Sequence, residues 1–174
     1  GEVLGLRWRD VDFDLEQIAV AHTITTAGWE LVMGPPKTPR SRRNVYLDKR
    51  TVAALRDHRK RQREHRLAAG SAWDGSLDLV GCDEGGRPIH PEAFSRAFEH
   101  IIDRLDVPRI RLHDLRHTHA TLALKAGVHP KVVSERLGHA TVGVTLDLYS
   151  HVLPAIARDA AEQIMSATYE GHVD

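Results

Sequence analysis

Leu112-His113-Asp114-Leu115-Arg116-His117, followed by Leu137-Gly138-His139 and then by Thr145-Leu146-Asp147-Leu148-Tyr149-Ser150-His151, is the part of this 174-residue sequence on which its reading turns. A helix is predicted from His113 to about Ala126, with Gly127 just past its end. His113 and Arg116 stand three apart at its start and therefore share a face. The unsatisfied N–H groups of a helix start attract anions, and a guanidinium placed there offers forked donors to phosphate oxygens. Gly138 closes a second helix that begins near Pro130, which puts His139 at a sharp turn. Tyr149 brings a phenol. With an ordinary pKa of about 10 it is a poor nucleophile until a base or nearby cations activate it.

Upstream, Pro36-Lys37-Thr38 opens a basic hairpin with Arg40, Arg42 and Arg43. A lysine on a mobile turn can give a proton to a departing alkoxide. Nucleophile, cationic clamp, acid and base are the parts that phosphoryl transfer needs. Taken singly, each has a plainer explanation. Lys37 reads as a solvated turn residue, Arg116 as an ion-pair partner for Asp114, Tyr149 as a core tyrosine with a satisfied hydroxyl, and His139 as a residue satisfying helix-end carbonyls. Their coincidence reverses that weighting. His113 and His117, at i and i+4, have a chelating spacing, but no third ligand follows at a suitable interval and Arg116 lies between them, so no metal is expected.

The surroundings read as mostly helical with a small sheet. Residues 1–9 look like the end of a helix, with Leu4 and Trp8 on one face. Three short antiparallel strands are predicted between about 11 and 47. Asp48 is a good N-cap for a helix reaching about Ala69, closed by Gly70. Leu77, Leu79 and Val80 form a possible edge strand. Pro91 suits the first position of a helix to about Leu105. A short helix is predicted from Leu146 to His151, and a last amphipathic one from about Ala155 to Ala167.

The composition, 41% hydrophobic and 28% charged, is that of an ordinary globular protein and argues against disorder. No apolar run approaches the ~18 residues of a membrane span. Cys82 is the single cysteine, which excludes an internal disulfide and a cysteine-built zinc site and fits a reducing compartment. Lys and Arg equal Asp and Glu at 24 each, yet positions 37–66 hold 12 basic and 3 acidic residues, a local excess of nine. A phosphate backbone responds to that local potential rather than to the net charge. Lys37 to Arg43 are expected to contact DNA. Arg56 to Arg66 divide evenly between a phosphate-facing stripe, led by Arg59 and Arg63, and a solvated face.

In order and spacing these segments resemble the tyrosine recombinase, or phage integrase, family. Gly1 to Asp12 resembles the family's opening motif, Pro36-Lys37-Thr38 its lysine hairpin, His113 to Arg116 its H-x-x-R box, Leu137-Gly138-His139 its L-G-H box, and Tyr149-Ser150-His151 its nucleophile box. The wording around Tyr149 to Pro154 is closer to mobile-element integrases than to chromosome-dimer resolvases.

The resemblance implies an α+β, mostly α-helical catalytic domain over 1–154 with a small three-stranded antiparallel sheet. Residues 155–174 would be a C-terminal helix and tail able to dock on a neighbouring protomer. It implies that Tyr149 attacks a DNA phosphodiester and becomes joined to the 3′-phosphate. Lys37 would protonate the leaving 5′-oxygen, Arg116 hold the non-bridging oxygens, His113 accept the phenol proton, His139 hydrogen-bond the phosphate and Glu2 support them. The phosphotyrosyl ester conserves the bond energy, so no cofactor and no metal is implied. The implied partners are double-stranded DNA attachment sites, further copies of the chain in a tetramer on DNA and accessory DNA-bending proteins, with no membrane, in the bacterial cytoplasm at the nucleoid.

One departure stands out. The family's first catalytic arginine would fall two positions before Gly1, and Arg7 and Arg9 lie on the wrong side of Glu2 to replace it. The sequence is therefore expected to be most of a catalytic domain, nearly inert by itself. Two other readings remain open: type IB topoisomerase-like relaxation, and a catalytically inactive DNA-binding or regulatory relative.

Overall fold

The computed structural model describes residues 1–38, 41–149, 160–161, 164–166 and 168. It divides into two compact units, Gly1–Arg109 and Ile110–Asp174. The expected boundary at 154/155 lies outside the described residues, as does most of the helix expected over 155–167; residues 160–161, 164–166 and 168 are helical. Among the described residues no helix is long and apolar enough to cross a membrane.

The first unit holds five strands: β1 (Val11–Asp12), β2 (Gln17–Val20), β3 (Thr23–Ala27), β4 (Glu30–Gly34) and β5 (Arg43–Tyr46). Three of them form the antiparallel sheet β1-β2-β5, and β3 and β4 form a separate two-stranded ribbon. Val11 pairs with Ile18, and Ile18 with Val45, so the alternating apolar residues of three segments fall in one register. The ribbon turns at Gly28, whose φ of +62° lies in the left-handed region that glycine adopts without steric cost.

Residues 1–9 are not the expected α-helix. A single turn, Gly5 N–H to the Gly1 carbonyl, precedes a 3₁₀ turn at Trp8–Asp10. The reason is competition for the backbone. Trp8 N–H donates to the Asp78 carbonyl, and the Leu6 carbonyl accepts from Val80 N–H. Gly5 also approaches the backbone of His22 and Thr23 so closely that a Cβ there would stand 2.8 to 2.9 Å from their atoms. The edge strand expected at 77–80 is accordingly reduced to one bridge, Arg7 with Leu79.

Helix α1 (Lys49–Ala69) begins at Asp48, whose carboxylate accepts from the N–H groups of Arg50 and Thr51, and ends at Gly70. Its apolar stripe is thin, and polar side chains complete the inner face. Gln62 Nε2 donates to the Leu79 and Val80 carbonyls at 3.1 Å each, and a His58 ring nitrogen lies 2.7 Å from the Val80 carbonyl. Helix α2 (Pro91–Ile102) follows, with proline at its first position. Two clusters make the core of this unit: Leu4, Ile24 and Leu79 in one, and Trp8, Val11 and Val80 in the other.

The second unit contains α3 (Asp114–Lys125), α4 (Pro130–Leu137) and α5 (Val142–Leu148). Its core is Ala120, Leu124, Val133, Leu137 and Tyr149. Helix α5 starts four residues earlier than expected, because Thr141 is extended and Val142 is the first helical residue.

Gly138 ends α4 with φ +70° and ψ +34°. Its N–H donates to the Glu135 carbonyl and that of His139 to the Ser134 carbonyl, both at 3.0 Å. These are the paired bonds of a Schellman motif. Gly138→Ala forces a Cβ into the left-handed region at a cost of about 1–2 kcal/mol. The urea midpoint is expected to fall accordingly, and an unchanged midpoint would contradict this account of the turn.

Candidate active site

In the second unit one face of α3 does two jobs. Ala120 and Leu124 on this face are 0% and 1% exposed and pack in the core. One turn toward the helix start the same face carries His117, half-buried, and beyond it His113. Tyr149 caps α5, its N–H donating to the Thr145 carbonyl at 3.1 Å. Its ring belongs to the core and is 2% exposed. Its hydroxyl lies 2.9 Å from His117 Nδ1. Burial raises the phenol pKa above its ordinary value, and the Arg116 charge acts in the opposite direction.

Arg116 donates to the Leu137 carbonyl, the last of α4, which fixes its guanidinium at the helix end where Gly138 and His139 follow. Cationic side chains are favoured there by the exposed carbonyls. The pairing of Arg116 with Asp114 weighed above is displaced by Arg111. Arg111 reaches Asp114 with NH2 at 2.9 Å, Nε at 3.2 Å and its backbone N–H at 2.8 Å. These contacts hold the Asp114 carboxyl down at about 2. His139 Nδ1 is 2.8 Å from the hydroxyl of Thr145, a fully buried residue one turn before Tyr149. The L-G-H turn and the tyrosine helix are thereby joined through one side chain.

His113 is exposed at the N-cap of α3, and its ring stands edge-on to that of His117, centroids 5.3 Å apart. His117, which the sequence offered as a metal ligand, is thus the imidazole in contact with the phenol. The signal was present in its position, four residues after His113 and next to Arg116. Among the described residues no group of three or more His, Cys, Asp or Glu is arranged to hold a metal.

The first unit carries the other expected residues. Lys37 is exposed on the connection between β4 and β5. This connection is not the tight hairpin expected, since β4 pairs with β3 and β5 with β2. Pro35 and Pro36 lack the N–H groups needed to continue the β4 ladder. Thr38 and Ser41 are joined by a 3.0 Å backbone bond and a 2.8 Å hydroxyl contact.

Arg43, expected to face DNA, instead turns to Glu2. Its two terminal nitrogens donate to the two carboxylate oxygens at 2.9 and 2.8 Å, and its side chain is 13% exposed. Arg42 is exposed, and Arg40 lies outside the described residues. The Arg59 guanidinium sits over the rings of Trp8 and Phe13, at 5.2 and 5.7 Å from their centroids, and so packs on aromatic surface. Arg63 is exposed and, with Arg59 and Arg66, lines a cavity of about 230 Å³ that also contains Trp8, Trp73 and Asp74.

This geometry puts a phenol, two imidazoles and a guanidinium at the meeting of α3, α4 and the end of α5. Residues 1–155 match the phage integrase family, and the chain belongs to that family. It is 34% identical to a tyrosine recombinase XerC-like protein of Caldanaerobacter subterraneus, over 94% of this chain and 45% of that protein. It is 32% identical to the ICEBs1 integrase of Bacillus subtilis, over 94% of this chain and 44% of that protein. The chain thus spans less than half the length of these two relatives.

Among solved structures, the Tn1549 transposon integrase in complex with transposon right end DNA superposes with a TM-score of 0.76 at 22% identity, over 94% of this chain and 54% of that one. XerA recombinase does so with a TM-score of 0.67, again at 22% identity, over 94% and 52% of the two chains. The fold is that of a tyrosine recombinase catalytic domain, as the sequence motifs implied.

Proposed function

We propose that this chain supplies catalytic residues of a site-specific DNA recombinase that integrates or excises a mobile element through a 3′-phosphotyrosyl intermediate. The observation that carries the reading is the placement of the Tyr149 hydroxyl on an imidazole, in a unit where Arg116 and His139 flank the adjoining helix end. Tyr149 is the nucleophile. Arg116 and His139 hold the non-bridging oxygens of the attacked phosphate, and His113 faces the same phosphate from the exposed start of α3. Lys37 gives the proton to the leaving 5′-oxygen. Glu2, held by both arms of Arg43, braces the first unit's part of the machinery. Exposed Arg42 and Arg63 contact the phosphate backbone, which positions the duplex without reading its sequence. The substrate is double-stranded DNA, and the acting species is a tetramer assembled on it. The Tn1549 integrase, solved with transposon right end DNA, supports the substrate class.

Recombination and relaxation share this chemistry and differ in the strand that reverses it. The full-length protein is therefore tested with two labelled attachment-site duplexes and, separately, with supercoiled plasmid lacking a site. Strand exchange between the duplexes is expected. Relaxation of the plasmid with no exchange would favour the topoisomerase-like reading, and DNA binding with neither reaction the inactive one.

A further inference from the structure

We propose that His117 is a catalytic residue of this reaction, the group that takes the proton of the Tyr149 hydroxyl as its oxygen attacks phosphorus. The inference rests on Tyr149 being the nucleophile. His117 Nδ1 is 2.9 Å from that hydroxyl, within the reach a general base requires. Both partners are held. The Tyr149 ring is fixed in the core by Ala120, Leu124, Val133 and Leu137, and the His117 ring is braced edge-on by His113. His113, the acceptor implied by the family resemblance, is exposed and meets the His117 ring. A phenol is protonated at neutral pH and burial raises its pKa further, so attack requires an acceptor.

The step is as follows. With His117 in the tautomer carrying hydrogen on Nε2, an oxygen lone pair of Tyr149 forms the bond to phosphorus. The phenol proton passes to Nδ1, giving an imidazolium. The bond from phosphorus to the 5′-oxygen breaks with its electron pair on that oxygen, which takes a proton from Lys37. In the rejoining step a 5′-hydroxyl gives its proton to the neutral Lys37 as its oxygen bonds to phosphorus, the bond from phosphorus to the Tyr149 oxygen breaks, and the imidazolium returns its proton to the departing phenolate. Among the described residues, the charged and titratable groups about His117 are His113, Asp114 and Arg116 on α3 and Tyr149 after α5; on α4, Arg136 donates to His119.

The test is single-turnover adduct formation by the full-length protein on a nicked duplex, followed from pH 6 to 10. His117→Ala and His117→Asn are expected to be slower by about 10²–10³ at pH 7. Their rates are expected to climb about tenfold per pH unit toward that of the parent as the phenol ionises by itself. Asn keeps a polar group near the Nδ1 position and serves as the folding-competent variant if Ala disturbs the core. A rate within threefold of the parent at pH 7, or a deficit equal at every pH, overturns the assignment. An adduct that persists in Tyr149→Phe would instead overturn the nucleophile reading beneath it.

Discussion

Tyr149→Phe is expected to abolish the covalent protein–DNA adduct while leaving duplex binding within about twofold of the parent. The substitution removes one atom from a well-packed site. The phenyl ring still fills the space among Ala120, Leu124, Val133 and Leu137, where the tyrosine ring is 2% exposed. What disappears is the hydroxyl and its contact with His117. Losing one such hydrogen bond costs about 1 kcal/mol of stability, which a folded domain tolerates. Attack on phosphorus needs an oxygen, and phenylalanine has none to offer. Adduct is read as a labelled strand retarded on a denaturing gel, and binding as a shifted duplex on a native one. Loss of both signals together would point to misfolding. Retained adduct would place the nucleophile elsewhere.

Arg116→Ala should carry the second-largest effect, a loss on the order of 10²–10³ in the rate of adduct formation, by analogy with the removal of one donor from an oxyanion site. Arg116 also has a structural contact, its bond to the Leu137 carbonyl. That contact, from a charged donor, is worth about 1.5 kcal/mol, roughly tenfold in an equilibrium and too small to account for the rate. Lysine keeps the positive charge but loses the planar fork that matches two phosphate oxygens. Arg116→Lys should therefore recover part of the binding and little of the rate. A rate within tenfold of the parent for the alanine variant, with unchanged unfolding, would remove Arg116 from the reaction.

The parts of this molecule governed by local chemistry were legible before any coordinates. Asp48 and Gly70 bound α1 because a carboxylate accepts from orphan N–H groups and a glycine adopts the conformations that end helices. Gly138 could be placed at the end of α4 for the same reason, and His139 follows from it. What depends on distant partners was not legible. The periodicity of Leu4 and Trp8 suggested a helix, but the Trp8 N–H donates to the Asp78 carbonyl and the Leu6 carbonyl accepts from the Val80 N–H. The basic run around Lys37 suggested one hairpin, yet β4 and β5 enter different sheets. Arg43 looked like a phosphate contact until Glu2, 41 residues away, claimed both its terminal nitrogens.

The same limit applied within the candidate site. A spacing of three placed His113 and Arg116 on one face, while the angle that brings His117 rather than His113 to the phenol is set by how α5 packs on α3 and α4 through Tyr149. Arg59 shows another case, a charge that the sequence left evenly between a phosphate-facing stripe and a solvated face and that two aromatic rings hold against the protein.

The central claim is that the Tyr149 oxygen forms a bond to DNA. Protease digestion of the trapped adduct, followed by mass spectrometry of the nucleotide-bearing peptide, measures this directly. The account predicts a 3′-phosphoryl group on Tyr149 alone, carried by the peptide from Leu137 to Arg158 after tryptic cleavage. A nucleotide on Tyr46, on Tyr169 or on any serine would contradict it.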